Sequence, residues 1–497
     1  MADQRELGYE RLGAKKLSLV DVVAQSVGFM GPVFSAAFLI PLIAGVGAAG
    51  KGAGIATPFA VILAAVGVFA LGWIVAQYAK KVHAAGSLYD YVSMGLGGKV
   101  GGVAGWLYYS GTTVLASAIA VLIGGLIHDT LFTSDPAAPG ILSAKSPLPV
   151  WAWSVIFVAA IFLIMYLGVR ISTRVQLTLS LVSAVVVLAF AIDVIAKVGS
   201  GNSLKAFNPS ESADGWSGIF FGVMYGVLIF VGFETAANLA EETAEPKRSI
   251  PKAVLLSVGI ATVFYVTLAY AQVAGFAFDL NALFSAAAAP LFALGSPASA
   301  GGYGSDTILK ILEIVVILDV IAVGLGAAVA STRGVFALAR DRRIPGALAK
   351  VSASRGTPVG AIVFVSLWSL AMVILTKARP DTFAIPGLPP YFAVFAWLSS
   401  FGAFALVVVY AAMSAGAFKG LADHASMAGV GIAAILGLAI SLGAIFGAIY
   451  KVPSPTKLVV YYAFAWLVVG AIVTLAVQGR EPASHALADL HSEGGTG

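Results

Sequence analysis

Long apolar runs separated by short polar segments make up most of the chain. Twelve of these runs hold enough apolar residues for an α-helix to cross the ~30 Å hydrocarbon layer of a bilayer. The predicted spans cover residues 19–45, 56–77, 101–128, 149–168, 175–197, 216–240, 252–276, 306–332, 357–376, 390–413, 427–450 and 457–477. The pattern therefore predicts an all-α integral membrane protein with twelve transmembrane helices.

Composition and charge agree with a membrane protein and narrow its partners. Of the 497 residues, 59% are hydrophobic and 11% are charged, whereas soluble proteins carry about 25% charged residues. The net charge of +5 comes without a basic cluster, so we expect no nucleic-acid partner. The chain has no cysteine, and its 5 histidines lack metal-ligand spacing, so no metal or other cofactor is expected. The expected partners are the lipid bilayer and a small-molecule substrate; the sequence leaves the oligomeric state open.

The basic residues predict the orientation of the chain. With the N terminus in the cytoplasm, the segments on the inner side hold 20 of the 29 Lys and Arg residues. Because cytoplasmic loops carry the excess of basic residues in membrane proteins, both termini are predicted to be cytoplasmic. The polar N terminus does not resemble a signal peptide. We therefore expect a multi-pass protein of the cell membrane, either inner or plasma.

Two of the predicted spans contain residues that interrupt a helix. The first span reads SVGFMGPVFSAAF, in which Gly28, Gly31 and Pro32 fall near the middle, and proline both lacks an N–H and clashes with the preceding turn. The sixth span reads FVGFE, with Gly232 between bulky residues. Breaks at matching positions of two five-span halves are typical of transporters built from inverted repeats. The alternative is a proline kink in one helix and a packing glycine in the other.

The spacing of the spans and breaks predicts how the chain is organised. Its parts are a cytoplasmic N-terminal segment (1–18), a first repeat of five spans (19–199), a second repeat (216–376, continuing to about 413), two accessory spans (427–477) and a disordered cytoplasmic tail (478–497). Both breaks lie in the repeats, so we expect the repeats to carry the functional site.

Two acidic residues lie well inside predicted spans, away from their ends. An ionisable side chain there costs roughly 2.5–3.5 kcal/mol on insertion scales, and it persists where it faces a partner or a watery cavity. Glu234 follows the second break directly, and Asp319 lies within EIVVILDVIAVGLG of the eighth span. A group that takes up and releases a proton is the functional interpretation of both. The alternatives are a structural hydrogen bond to backbone amides for Glu234 and a contact between helices for Asp319.

Further acids follow at the end of the sixth span. Glu241 and Glu242 lie at the C-terminal end of a helix, where the helix dipole disfavours negative charge. They therefore need cationic partners, and Arg333 and Arg340 are predicted on the same side of the membrane. Our hypothesis is a cytoplasmic gate of ion pairs that form and break during transport. The alternative is a set of solvated charges beside the membrane surface.

Three stretches resemble motifs of one transporter family. GFETAANLAEETAEPKRSIPKA (232–253) is similar to the signature that follows the sixth span of amino acid–polyamine–organocation transporters. AGSLYDYVSMGLG (85–97) resembles the loop after the second span of that family, with Ser87 in place of a glycine. RGVFALARDRRIP (333–345) resembles the segment after the eighth span, with Arg342 where glycine is usual. The similarity covers about the first 350 residues.

The resemblance implies a five-plus-five inverted-repeat fold with two accessory helices, and transport by alternating access. In the family, backbone groups of the broken first and sixth helices bind the substrate, and the third and tenth spans add side chains. On this chain the implied substrate-binding residues are Gly28, Phe29, Met30, Gly31, Pro32, Tyr109, Thr113, Phe230, Val231, Gly232, Phe233 and Trp397. The glycine pair that surrounds a substrate carboxylate in the family is incomplete at Met30–Gly31–Pro32. An ordinary amino acid is therefore not the only substrate that the pattern allows.

The sequence leaves the coupling ion open. Some proton-coupled family members carry a lysine in span five, where this chain has Ser183. Glu234 favours protons as the coupling ion, whereas the hydroxyls of Ser331 and Thr332 with carbonyls of the first span would suit sodium. Those hydroxyls are equally able to bond back to their own helix.

We expect a secondary active transporter, not an enzyme, that imports an amino acid or a related amine and is proton-coupled. The alternatives are a permease or exchanger of polyamines or other organic amines, or a sodium-coupled symporter. A membrane enzyme would need clustered catalytic groups, which the pair of Glu234 and Asp319 does not supply. A channel would need rings of polar residues, and a substrate sensor would need an added signalling domain.

Overall fold

The computed structural model describes residues 17–46, 51–82, 84–133, 141–142, 144–212, 214–286, 289–385, 388–423, 426–450, 452 and 456–477. The first eight α-helices are α1 (Leu19–Met30), α2 (Pro32–Phe34), α3 (Ile40–Ala44), α4 (Thr57–Ala79), α5 (Leu88–Leu96), α6 (Gly98–Leu126), α7 (Val150–Leu167) and α8 (Val169–Val198). The others are α9 (Gly215–Leu228), α10 (Pro246–Gly275), α11 (Leu280–Ser285), α12 (Pro290–Gly295), α13 (Asp306–Arg340), α14 (Val359–Ala378), α15 (Pro390–Gly420), α16 (Met427–Ile449) and α17 (Thr456–Val477). Within these ranges the chain forms no β-strand.

Ten helical segments of the described chain are long and apolar enough to cross a membrane, and α9 is a shorter apolar helix. The prediction of a multi-pass all-α protein is confirmed at this level. The other two of the twelve predicted spans fall on α9 with the residues after it and on α13. The count of twelve and the inverted repeat stay predictions. The predicted terminal segments 1–18 and 478–497 lie almost wholly outside the described residues.

The helices form a buried centre and an apolar outer layer. The segment from α1 to α3, together with α6 and α15, is almost wholly buried, whereas α7, α8, α14 and α16 are largely exposed. Outward-facing side chains are apolar, for example Leu181, which is 59% exposed, and Val263, which is 69% exposed. Exposed apolar side chains of this extent are what a lipid-facing surface requires, since hydrocarbon offers no hydrogen bonds. A polar site must therefore lie among the buried helices.

The start of α1 is fixed to the chain after the sixth predicted span. Ser18 caps α1 by accepting from the amide of Asp21, and the Asp21 carboxylate accepts from the Ser18 amide in return. Next to this cap, the amide of Leu17 donates to the Glu242 carbonyl at 3.0 Å, and the amide of Ala244 donates to the Leu17 carbonyl at 3.0 Å. These bonds hold the entry to α1 beside the segment that follows the second break.

Candidate functional site

The first predicted break interrupts the helix at a single glycine. α1 ends at Met30, Gly31 takes the left-handed conformation with φ +54°, and the helix resumes at Pro32. From Pro32 the chain stays helical to Ala44 through a π-helical turn over Ser35–Leu39. Glycine suits this position because a side chain is strained at positive φ, and proline suits the first turn because its missing N–H needs no partner there.

The second predicted break is longer and meets the first. α9 ends at Leu228, residues 229–234 form turns, and a 3₁₀-helix follows over Thr235–Glu242. Gly232 has φ +116°, and a Cβ atom built on it would lie only 2.8 Å from the backbone nitrogen of Met30. The two breaks therefore touch through their backbones, and glycine is the residue that permits this approach.

Glu234 lies at the meeting point and is fully buried. Its Oε1 accepts from the hydroxyls of Tyr108 at 2.8 Å and Tyr410 at 3.0 Å, and its Oε2 accepts from the Gly232 amide at 3.2 Å. The carboxyl group thus links the second break to α6 and α15. Sequence reasoning identified Glu234 but missed both tyrosines, whose only signal was a hydroxyl within an apolar span.

Asp319, also fully buried, binds the first break from α13. Its Oδ2 accepts from the amides of Val33 and Phe34 at 2.8 Å each, and its Oδ1 accepts from the Ser180 hydroxyl at 2.7 Å. These two amides open the helical segment that starts at Pro32, so Asp319 acts as a capping carboxylate supplied from a distant helix. Ser183, the predicted span-five residue, is buried and has no hydrogen-bond partner among the described residues. Ser180, one turn earlier on α8, makes the contact instead.

A small apolar cavity of about 20 Å³ lies beside the breaks. Phe29, Met30 and Val231, three of the predicted substrate-binding residues, line it from the two breaks. The rest of its lining comes from neighbouring helices and includes Phe34, Leu39, Leu115, Ile119, Leu228, Val323 and one hydroxyl residue, Ser399. This volume has room for about one water molecule, so the cavity in this structure is too small for an amino acid or an amine.

Four other predicted binding residues make packing contacts or begin a helix at the breaks. Gly28 packs against Gln176, and Pro32 begins the second half of the first span. The rings of Phe230 and Tyr265 meet edge to face at 5.1 Å, and those of Phe233 and Tyr410 are 5.7 Å apart.

Three predicted side chains face elsewhere than expected. Tyr109 and Thr113 line a second cavity, of about 120 Å³, between α6, α13, α14 and α17. Trp397 packs on Phe383 and Tyr462, at ring distances of 5.3 and 5.6 Å. The reason is helix rotation: on α6 it is Leu115 and Ile119 that face the cavity at the breaks.

The residues predicted for a sodium site bond within their own helix. Ser331 donates to the Ala327 carbonyl at 2.7 Å, and Thr332 donates to the Val329 carbonyl at 3.0 Å. The Arg333 guanidinium donates to the Thr332 hydroxyl at 3.3 Å. Over the described residues, no group of three or more acidic or histidine side chains could hold a metal ion.

The four predicted gate residues come together as two ion pairs. Arg333 binds Glu242 through two nitrogens, Nε at 3.2 Å and Nη2 at 3.3 Å, and both side chains are buried. Arg340 binds Glu241 at 2.7 Å, and the same Glu241 oxygen accepts from the Ala85 amide at 2.9 Å. The pairs join α13 to the chain after the second break and to the loop before α5.

Two more acids surround Arg340 and were not predicted. Asp341 lies 3.8 Å from its guanidinium, and burial raises the pKa of Asp341 to about 6. Burial, together with the nearby Asp341, raises the pKa of Asp90 well above its usual range. Three carboxyl groups, including Glu241, therefore surround one arginine, and the charge of this cluster depends on pH.

Comparisons with known proteins agree with this architecture. A family model described as amino acid permease matches residues 26–475. The branched-chain amino acid permease BcaP of Bacillus subtilis is 26% identical over 397 residues, covering 70% of this chain and 80% of the relative. The methylthioribose transporter of the same organism is 24% identical over 385 residues, covering 69% and 78%. A vacuolar cationic amino acid transporter of Arabidopsis thaliana is 26% identical over 373 residues, covering 72% and 58%. The chain therefore belongs to the amino acid permease family and is a membrane transporter rather than an enzyme.

Proposed function

We propose that this protein is a proton-coupled secondary transporter that imports an apolar amino acid or a related amine by alternating access. The observation that carries the proposal is the direct contact of two helix breaks beside a small apolar cavity. Helix breaks leave backbone N–H and C=O groups without helical partners in the middle of the membrane, and such groups can bind a polar solute. The protein acts in the cell membrane, with both termini in the cytoplasm.

The apolar lining supports a solute with an apolar body. Of the ten residues around the cavity, nine are apolar and one carries a hydroxyl. The relatives differ in the substrate that their names state, a branched-chain amino acid for one and methylthioribose for another. Membership of the family alone therefore does not fix the substrate, and the lining is the better guide.

Protons are favoured over sodium by the position of Arg333. Its guanidinium donates to the hydroxyl oxygen of Thr332, one of the two hydroxyl residues that a sodium ion would use, and both of these hydroxyls bond within their own helix. The oxygen atoms of a sodium site are therefore already engaged. Glu234 offers a proton-binding group instead. Its carboxyl group lies between two tyrosine hydroxyls and a backbone amide, and it can change these hydrogen bonds when it takes up a proton. In this proposal Glu234 carries the coupling proton.

The ion pairs of Arg333 and Arg340 form the inner gate in this proposal. Both connect α13 with the chain that follows the second break, so a movement of the broken sixth helix must separate them. The small cavity and the intact pairs together correspond to a state closed on the cytoplasmic side.

The test is uptake by purified protein in proteoliposomes with an imposed proton gradient, inside alkaline. We expect saturable accumulation that collapses when the gradient is dissipated. Glu234→Gln should leave the protein folded but make uptake independent of pH. Uptake driven equally well by a sodium gradient alone, or an unchanged pH dependence in Glu234→Gln, would contradict the proton role. Asp193→Asn is a suitable control because its partner Lys197 lies on the exposed surface of α8.

A further inference from the structure

The amides that the first break exposes are already bound to a carboxylate of the protein. Where the helix resumes after Gly31, its first free N–H groups belong to Val33 and Phe34, and both donate to one oxygen of Asp319 at 2.8 Å. Two neighbouring amides at the start of a helical segment form a natural receptor for a carboxylate. Asp319 therefore occupies the position that the carboxylate of an amino acid would need.

The second break offers no other free amide for a substrate carboxylate among the contacts described above. The amide of Gly232 donates to Glu234, and the hydroxyls of Tyr108 and Tyr410 donate to the same carboxyl group. Both breaks are thus satisfied by buried acids of the protein. Across the part of the chain that the structure describes, neither acid forms an ion pair with Lys, Arg or His.

The cavity beside the breaks also disfavours a carboxylate. Its lining offers one hydroxyl, from Ser399, and otherwise apolar side chains. A carboxylate placed there would lose its hydration without gaining donors, which is costly. An ammonium group would lose its hydration as well, but the lining includes Phe34, whose amide binds Asp319, and Val231, which precedes the Gly232 amide that binds Glu234. It could therefore supply the cationic partner that both acids lack.

We propose that Asp319 is a specificity-determining residue, which holds the amides of Val33 and Phe34 and thereby selects an apolar primary amine over the amino acid with the same side chain. The inference rests on the proposed function and narrows its substrate class. It assigns Asp319 a role in the choice of ligand, separate from the proton coupling assigned to Glu234.

The experiment compares two ligands that differ only in the carboxylate, leucine and 3-methylbutylamine. Their binding is measured by thermal shift of the purified full-length protein, and their accumulation is measured in proteoliposomes with a proton gradient. We expect 3-methylbutylamine to bind at least tenfold more tightly than leucine. Equal or tighter binding of leucine would overturn the inference, and this comparison needs no variant.

The variant Asp319→Asn tests the residue itself. It keeps the size of the side chain, removes its charge and weakens its hold on the two amides, so the preference for the amine over leucine should fall at least tenfold. Glu313→Gln on the same helix is the matched control, because Glu313 is only half-buried and takes no part in the site, and it should leave the preference unchanged. A folded Asp319→Asn protein with the same preference as the unmodified protein would overturn the inference.

The outcomes separate the inference from the proposed function. Gradient-driven accumulation of leucine without binding of the amine would overturn the role of Asp319 and leave proton-coupled transport intact. Accumulation of neither compound under any gradient would count against both.

Discussion

The pair of Arg333 and Glu242 gives the sharpest prediction about the inner gate. The Arg333 side chain is 0% exposed and that of Glu242 is 6% exposed, and two nitrogens of the guanidinium bind the two carboxylate oxygens. Glu242→Gln removes the countercharge but keeps the shape of the side chain. The closed state then holds an arginine without a partner charge, whereas an open gate would hydrate it.

The size of the effect follows from this burial. Removing one partner of a buried ion pair costs about 3–5 kcal/mol, because the remaining charge is left without compensation in a medium of low dielectric constant. Each 1.4 kcal/mol is about a factor of ten in an equilibrium constant. The ratio of closed to open gate should therefore fall by roughly 100-fold or more.

The assay uses the absence of cysteine in the chain. A single cysteine is introduced at Ala237, which is fully buried between the second break and the gate. We then measure its rate of reaction with a membrane-impermeant maleimide in inside-out vesicles. Glu242→Gln should raise this rate at least tenfold.

Glu245→Gln is the control for the gate prediction. Its ion pair with Arg248 is 3.8 Å long, with side chains 68% and 78% exposed, and exposed pairs contribute about 0–1 kcal/mol. We expect less than a threefold change in the maleimide rate. If Glu242→Gln leaves the rate as low as this control does, the buried pair does not hold the gate closed.

Two further predictions concern stability, measured by thermal unfolding in detergent. Gly232→Ala should destabilise the protein by about 1–3 kcal/mol, since φ is +116° and the new Cβ would lie 2.8 Å from the nitrogen of Met30. The control Gly259→Ala should not destabilise it, because the nearest atom to the new Cβ is 3.9 Å away. Equal effects of the two substitutions would refute the argument. Asp341→Asn should flatten the dependence of stability on pH. In the unmodified protein the pKa of Asp341 is raised from 3.8 to about 6, so the folded state binds the proton more tightly than the unfolded state does. Its stability therefore falls as pH rises from about 4 to 6. The loss over that interval is up to about 3 kcal/mol, and an unchanged slope in the variant would show that Asp341 is not buried in solution.

The helix breaks could be predicted because residue type reports backbone conformation directly. A glycine beside a proline at Gly31 and a glycine between bulky residues at Gly232 indicate positions where a helix stops. The structure has positive φ at both glycines. The buried acids were visible for a similar reason, since charge inside an apolar run is rare and needs a partner.

The partners of those acids could not be predicted, because they depend on how each helix is rotated. In a surface helix, the apolar stripe shows which side faces the core. α6 and α15 carry apolar residues on all sides, so nothing in their sequences indicates that Tyr108 and Tyr410 face Glu234, or that Trp397 faces Tyr462.

The central claim is that a solute binds where the two breaks meet and reaches that place from one side of the membrane at a time. Met30 tests it most directly, because it ends α1, lines the cavity and touches Gly232. Met30→Cys should react with an impermeant thiol reagent from either side of the membrane, but from only one side in any one conformation, and a transported amine should protect it from both. Simultaneous reaction from both sides would indicate a continuous pore, and a cysteine that reacts from neither side under any gradient would show that the cavity never opens.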